Sequence, residues 1–305
     1  MGDILYWLLN MSIIGSTAGL FVLLIRLIKA LPRRFINLLW AIPLLRFCIP
    51  VGLGGKYGLL SLLPRYIVRT VPVSDGGSSF IEISAMNSLQ AASGYFPITY
   101  KIDLLADVFR YGSIVWAVIA AALLIAMTVI YISTLSELKS AERLYDNVYC
   151  SDKITSPAVY GVFRPKIVIP VSYKDSADLD LILMHERQHI KRLDNFFRVA
   201  AFTVAAVHWF NPLAWLFLKL YLSDSELACD ESVLSKLDEE KRKQYAYALL
   251  DARKSKTVFA SAFGGAKLKT RIERIVSFKK MTVVSAAGLT VLAAVIAYIL
   301  LTNAV

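Results

Sequence analysis

Charge, histidine and cysteine are all scarce in this 305-residue chain, and each shortage excludes something. Charged residues make up 19% of it and apolar residues 57%, with a mean hydropathy of +0.56, which excludes an ordinary soluble domain. The three cysteines, Cys48, Cys150 and Cys229, imply no disulfide framework. There is no internal repeat, and the one low-complexity patch is Ser74-Asp-Gly-Gly-Ser-Ser79. The first residues do not read as a secretory leader: Asp3 stands where a basic region is expected, and no small-residue cleavage site follows.

Long apolar runs are what the chain does have. Ile4 to about Ile25, about Tyr111 to Ile132 and about Met281 to Leu301 are each long enough to cross a bilayer. A weaker fourth candidate, second in chain order, runs from Ile36 to Leu53 and contains Pro43, Pro50 and Arg46. A charge at that depth faces protein or water. The net charge of +11 is distributed as a topology signal rather than as a nucleic-acid footprint. Lys29, Arg33 and Arg34 follow the first run, Lys139 and Arg143 follow the third, and Lys279 and Lys280 precede the last. Positive charge marks the cytoplasmic side. The expected topology has the N-terminus outside, 29–35 inside, 54–107 outside, 134–280 inside and the C-terminus outside. Lys and Arg within 253–280 could in addition meet anionic lipid headgroups.

Two of the three histidines stand in His185-Glu186-Arg187-Gln188-His189. Leu179, Ile182, Leu183, Ile190 and Leu193 around them repeat near the helical period, with Ser176 or Asp178 as a possible cap. On a helix, residues four apart lie one turn plus about 40° apart, so both imidazoles leave one face. That spacing suits two ligands of one tetrahedral zinc, with Glu186 beside the metal as the base that takes a proton from water. It is the H-E-x-x-H pattern of zinc peptidases. Two histidines need a third ligand, and Glu226 in Ser223-Asp-Ser-Glu-Leu-Ala-Cys-Asp-Glu231 is expected to supply it, with Cys229 as the rival. Asp230, one turn on, is expected to hold the second nitrogen of a ligand histidine. That stretch reads as a helix of its own, capped by Ser223 or Asp224.

Within 134–280, Ser156 to Pro170 reads as a β-hairpin around Gly161 and Arg164-Pro165, either purely structural or offering an edge to an extended peptide. Val199 to Leu222 is apolar enough for a fifth crossing. A crossing would carry Glu226 away from the histidines, however, and Asn211-Pro212 interrupts the run. A helix–break–helix dipping into the inner leaflet or packed on the spans is expected instead. His208, alone beside Trp209, is read as structural.

These residues resemble the BlaR1/MecR1 family of membrane zinc metallopeptidases. The resemblance rests on Arg33-Arg-Phe-Ile-Asn-Leu-Leu-Trp40 with Arg46 and Pro50, Pro157…Gly161…Pro165…Pro170, His185 through Asp194, Trp209-Phe-Asn-Pro212 and Glu226-Leu-Ala-Cys-Asp230. It implies a mainly α integral membrane protein: four transmembrane helices, with spans one to three in 1–133. A cytosolic α+β gluzincin domain over 134–280 and a fourth helix in 281–305 complete it. It also implies Zn²⁺, the plasma membrane, and regulated proteolysis of a BlaI/MecI-like repressor or of the chain itself in antibiotic-resistance signalling. A cleavage site in Phe259–Ala266 is one expectation. No direct nucleic-acid contact is expected, while contact with membrane lipid is, and a homodimer is open. The family's penicillin-binding sensor is not found after the last run. The sole Ser-x-x-Lys is Ser136–Lys139 and no Lys-Thr-Gly occurs, so covalent β-lactam sensing by this chain is not expected. A housekeeping membrane gluzincin, or a receptor with a purely structural zinc, are the alternatives.

Overall fold

A computed structural model describes residues 2–49, 53–54, 103–252, 266–278 and 280–303. Nearly all of the 54–107 loop and of the Phe259–Ala266 stretch lies outside the described residues, as does the Lys/Arg segment 253–265.

Three helices carry apolar stretches long enough to cross a membrane, the mark of a membrane protein: α1 (Gly2–Arg26), α4 (Asp103–Glu137) and α10 (Val283–Leu301 in our numbering). The expected second span is different. It forms two short helices, α2 (Arg33–Leu39) and α3 (Ala41–Cys48), joined at Trp40. Pro43 has no N–H for the Leu39 carbonyl, and the helix breaks there. Pieces of 7 and 8 residues rise only about 23 Å together, short of the roughly 30 Å hydrocarbon core. Among the described residues three helices are long and apolar enough to span, and the expected interruption of the second run falls at Trp40. Arg46 is buried in this element, and its Nε donates to the Leu300 carbonyl at the end of α10, 2.8 Å away. A helix C-terminus with its unpaired carbonyls is a fitting partner for a cation at that depth.

α6 (Asp194–Val207) and α7 (Pro212–Leu234) form the expected helix–break–helix, packed on α1 to α4. Asn211 caps α7 by accepting from the Leu213 N–H at 2.9 Å, with Pro212 in the first turn where no N–H is needed. Its amide donates to Ser12 and Ser16 of α1 at 2.7 and 2.8 Å. His208 Nε2 lies 3.0 Å from the Phe47 carbonyl and far in the fold from the other histidines, in line with a structural role.

One expectation fails in α7. The polar stretch 223–231 is not a separate helix, because α7 runs through it unbroken for 23 residues. Asp224 is not a cap. It is fully buried and accepts from Arg26 Nε at 2.7 Å, Arg33 at 3.2 Å and Trp40 Nε1 at 3.0 Å. Glu231 accepts the Arg33 and Arg34 backbone N–H groups at 2.9 and 3.1 Å, and so caps α2, whose own Pro32 has no side chain to do it.

A short β1 (Leu53–Gly54) pairs in parallel with Thr302–Asn303, and the remainder is a four-stranded sheet with helices against it. β2 (Glu142–Tyr145), β3 (Val148–Ser151), β4 (Ala158–Tyr160) and β5 (Lys166–Pro170) lie in the order β2-β3-β5-β4. β3 and β5 are parallel, and the other pairs are antiparallel. The β4–β5 hairpin is the one read from the sequence. Gly161 turns at φ +92°, where a Cβ would also meet the Arg164 carbonyl at 2.8 Å. Val148, Cys150, Ile167 and Ile169 pack on Leu183 of α5 (Leu179–Lys191), which fixes the other face of that helix. Asp178 stands at the start of α5 but makes no side-chain capping bond. α8 (Glu239–Ala252) and α9 (Leu268–Val276) close the far side through Tyr245 and Ile275.

Candidate metal centre

The apolar face of α5 is fixed by the sheet, so its opposite face carries His185, Glu186 and His189 into a buried space, each under 9% exposed. The two imidazoles meet edge to face, with Nε2 atoms 3.1 Å apart. Two nitrogens bound tetrahedrally to one zinc at 2.0–2.1 Å would stand about 3.3 Å apart.

The partners of the other ring nitrogens decide what those Nε2 atoms are. His189 Nδ1 lies 2.7 Å from Asp194 Oδ2, a carboxylate, so this nitrogen carries the proton. His185 Nδ1 lies 2.7 Å from the Tyr245 hydroxyl, whose own hydrogen goes to Asp230 Oδ1 at 2.6 Å. Tyr245 therefore accepts from His185 Nδ1–H. The two Nε2 atoms are thus the ring nitrogens turned to one shared point, where a proton or a cation can join them. Burial pushes both imidazoles toward neutrality. At His185 the neighbouring His189 and Arg271 add to this and hold it well below the ordinary range. At His189, Cys229, Glu226 and Asp194 outweigh burial and raise it. His185 is therefore ready as a neutral ligand, whereas a cation at His189 must displace the proton held there.

Glu226 faces the same point. Its Oε1 lies 3.8 Å from His189 Nε2 and its Oε2 3.9 Å from His185 Nε2. Burial pushes this carboxyl up, but His189, Arg271, His185 and Arg198 outweigh it and hold it at about 2, so it is ionised. Cys229 is also near: one ligand atom each from His185, His189 and Cys229 fall within 4.8 Å of one another. Its sulfur, however, lies 3.6 Å from His185 Nδ1 and 3.5 Å from the His185 carbonyl, on the protonated side of the ring. Burial pushes the thiol up to about 11, so it is not a thiolate at neutral pH. Glu226 and Cys229 both stand beside the histidine pair, Glu226 toward Nε2 and Cys229 toward His185 Nδ1.

Glu186 makes no hydrogen bond to any described residue. Burial, and then the Glu226 charge, raise its carboxyl against the pull of His189. Asp230 does approach His185, 3.4 Å from Nδ1, but Tyr245 stands between them. Its main bonds are to Arg271, whose Nε and Nη2 each donate at 2.7 Å. Sequence reasoning missed Asp194, Tyr245 and Arg271 as site residues. Asn195, next to Asp194, donates to the Val159 and Gly161 carbonyls at 3.0 Å, tying edge strand β4 to the site. A peptide pairing with β4 must use its remaining groups or displace that amide.

Against known proteins, the BlaR1 peptidase M56 model matches residues 6–277. The chain belongs to that family. It is similar to the regulatory protein BlaR1 of Bacillus licheniformis, 33% identical over 138 residues, 42% of this chain and 23% of that protein. It is also similar to the methicillin resistance mecR1 protein of Staphylococcus aureus, 28% identical over 103 residues, 33% of this chain and 18% of that protein. The regulatory protein BlaR1 of Staphylococcus aureus is 27% identical over 135 residues, 41% and 23% of the two chains. The chain thus spans about a fifth of the curated relatives it matches. This M56 family is one of peptidases, and His185, His189 and either Glu226 or Cys229 are the groups that could hold its metal.

Proposed function

We propose that this M56 peptidase is a zinc endopeptidase for regulated proteolysis, with His185, His189 and Glu226 as metal ligands and Glu186 as the general base. The observation that carries the reading is the convergence of two imidazole Nε2 atoms and an ionised carboxylate on one buried point. Zinc bound there would supply Lewis acidity to a scissile carbonyl and acidify water. Glu186 takes the proton of the attacking water and passes it to the leaving amine. Its lack of a protein partner supports this role, since a structural zinc site needs no unpaired buried carboxylate. Asp194 orients His189, and Asp230 acts on His185 through Tyr245.

The substrate is an extended peptide: a BlaI/MecI-like repressor, by the likeness to BlaR1 and mecR1 proteins, or the chain itself. The proposed setting is a plasma membrane with 134–280 on the cytoplasmic side. The test is the metal content of detergent-purified wild type, His185→Ala and Glu186→Ala, each co-expressed with a candidate repressor. Near-stoichiometric zinc in wild type and Glu186→Ala, its loss in His185→Ala, and cleavage by wild type alone are expected. Absence of zinc from the wild type would sink the reading.

A further inference from the structure

A cavity of about 370 Å³ lies on the other side of α5 from Glu226, walled by α2, α3, α6 and α7. Volumes of roughly 300–1,000 Å³ are those of small-molecule sites. No step of the proposed hydrolysis uses it. Its two ends differ. Arg34, Asn37, Gln188, Arg192, Asp194 and Ser232 stand at one end, and Leu44, Phe47, Val204, Phe217 and Leu218 at the other. The order of these residues along α2–α3, α6 and the oppositely running α7 makes the cavity elongated, with one polar and one apolar end.

Its depth can be read against α1. The polar end lies just beyond Arg26, which closes the first apolar span, since Asp224 and Arg33 both sit at Arg26. The apolar end reaches Phe47, which packs against Gly15, and Phe217, which packs against Gly19. From Arg26 to Gly15 is about 16 Å of helix, and half of a hydrocarbon core is about 15 Å. The cavity has the length of one leaflet. Leu38 and Phe197, which line it, are exposed, so it opens toward the lipid side.

The polar end has groups without partners. Arg34 Nε and Asn37 Oδ1 are buried and make no hydrogen bond among the described residues. Its carboxylates are already committed: Asp194 to His189 and Arg192, Glu231 to the α2 amides. Among the residues that line the cavity, Arg34 and Arg192 stand against the single carboxylate of Asp194, a surplus of one positive charge.

We propose that this cavity is a lipid site, holding one acyl chain of an anionic glycerophospholipid whose headgroup carries hydroxyls. The phosphate accepts from Arg34 Nε, with Arg192 beside it, and a headgroup hydroxyl donates to Asn37 Oδ1. The tail lies along Leu44, Phe47 and Phe217. This does not depend on the zinc assignment.

The test is native mass spectrometry of the full chain released from bilayers of equal phosphatidylglycerol and phosphatidylcholine. Wild type retains one phosphatidylglycerol, and Arg34→Gln lowers its retention about fivefold, the share of one arginine near a membrane surface. Ala201→Phe, which fills the apolar end, abolishes it. If that variant does not fold, Asn37→Leu with Arg34→Gln takes its place, and the pair must lose more than Arg34→Gln alone. Equal retention of the two lipids by wild type, or unchanged retention in the folded variants, identifies surface lipid only and overturns the proposal.

Discussion

Glu226 and Cys229 meet His185 from opposite sides of its ring, and that difference separates them experimentally. Glu226→Gln is expected to weaken zinc retention at least as much as loss of an outer partner does, about 10–100-fold, whereas Cys229→Ser leaves it within about twofold. Competition with a chelator of known affinity reads both. Asp194→Ala and Tyr245→Phe each remove the acceptor of a ligand histidine and should each cost about 10–100-fold in the same assay. An unaltered affinity in both would refute the assigned ring orientations. The two histidines and Glu186 were legible because one helical turn sets their geometry. Asp194 was not. It reaches back to His189 because Leu193 turns the chain at φ +56°, a conformation that a leucine does not advertise. Tyr245 and Arg271 come from helices without a motif, 60 residues from His185 and 41 from Asp230.

Between elements, two glycines bring α1 close to its neighbours, Gly19 to α7 and Gly15 to α3. A Cβ on Gly19 would sit 2.1 Å from the Phe217 ring, and one on Gly15 2.7 Å from Phe47. Small residues allow such approach in membranes. Gly19→Ala is expected to cost about 1–3 kcal/mol, seen as a lower unfolding temperature in detergent, with partial recovery on adding Phe217→Leu. No change would mean that the helices part freely. Asp224→Asn leaves Arg26 and buried Arg33 without their counter-charge and should cost about 3–5 kcal/mol by the same measurement. The hairpin, α5 and the break at Asn211-Pro212 were readable because turn chemistry and period are local. The continuity of α7 was not. Its buried Asp224 looks like a capping residue until partners nearly 200 positions away are seen to satisfy it. Pro43 and Arg46 marked an interruption in the second apolar run, and the break between α2 and α3 is where it falls.

For the whole molecule, the proposed topology predicts that Ser78→Cys, in a background lacking Cys48, reacts with an impermeant maleimide added to intact cells. Lys236→Cys, on an exposed polar stretch after α7, should react only after the membrane is opened. The reverse pattern would invert the orientation. Three pairings set the register of α1 and α7: Ser12 and Ser16 with Asn211, Gly19 with Phe217, and Arg26 with Asp224. The helices run in the same direction and are fastened over about 20 Å, so neither can slide along the other. Glu226 and Asp230 come 2 and 6 residues after Asp224, about 3 and 9 Å further along the same rod. The centre therefore stands at a fixed altitude, within about 10 Å of the end of the first apolar span. Under the proposed hydrolysis and topology, this fastening would make the protein a ruler as well as a blade, limiting cleavage to peptide bonds that reach that distance from the membrane. A folded soluble partner must pay out a slack segment to reach that height, while the chain's own juxtamembrane segments begin there.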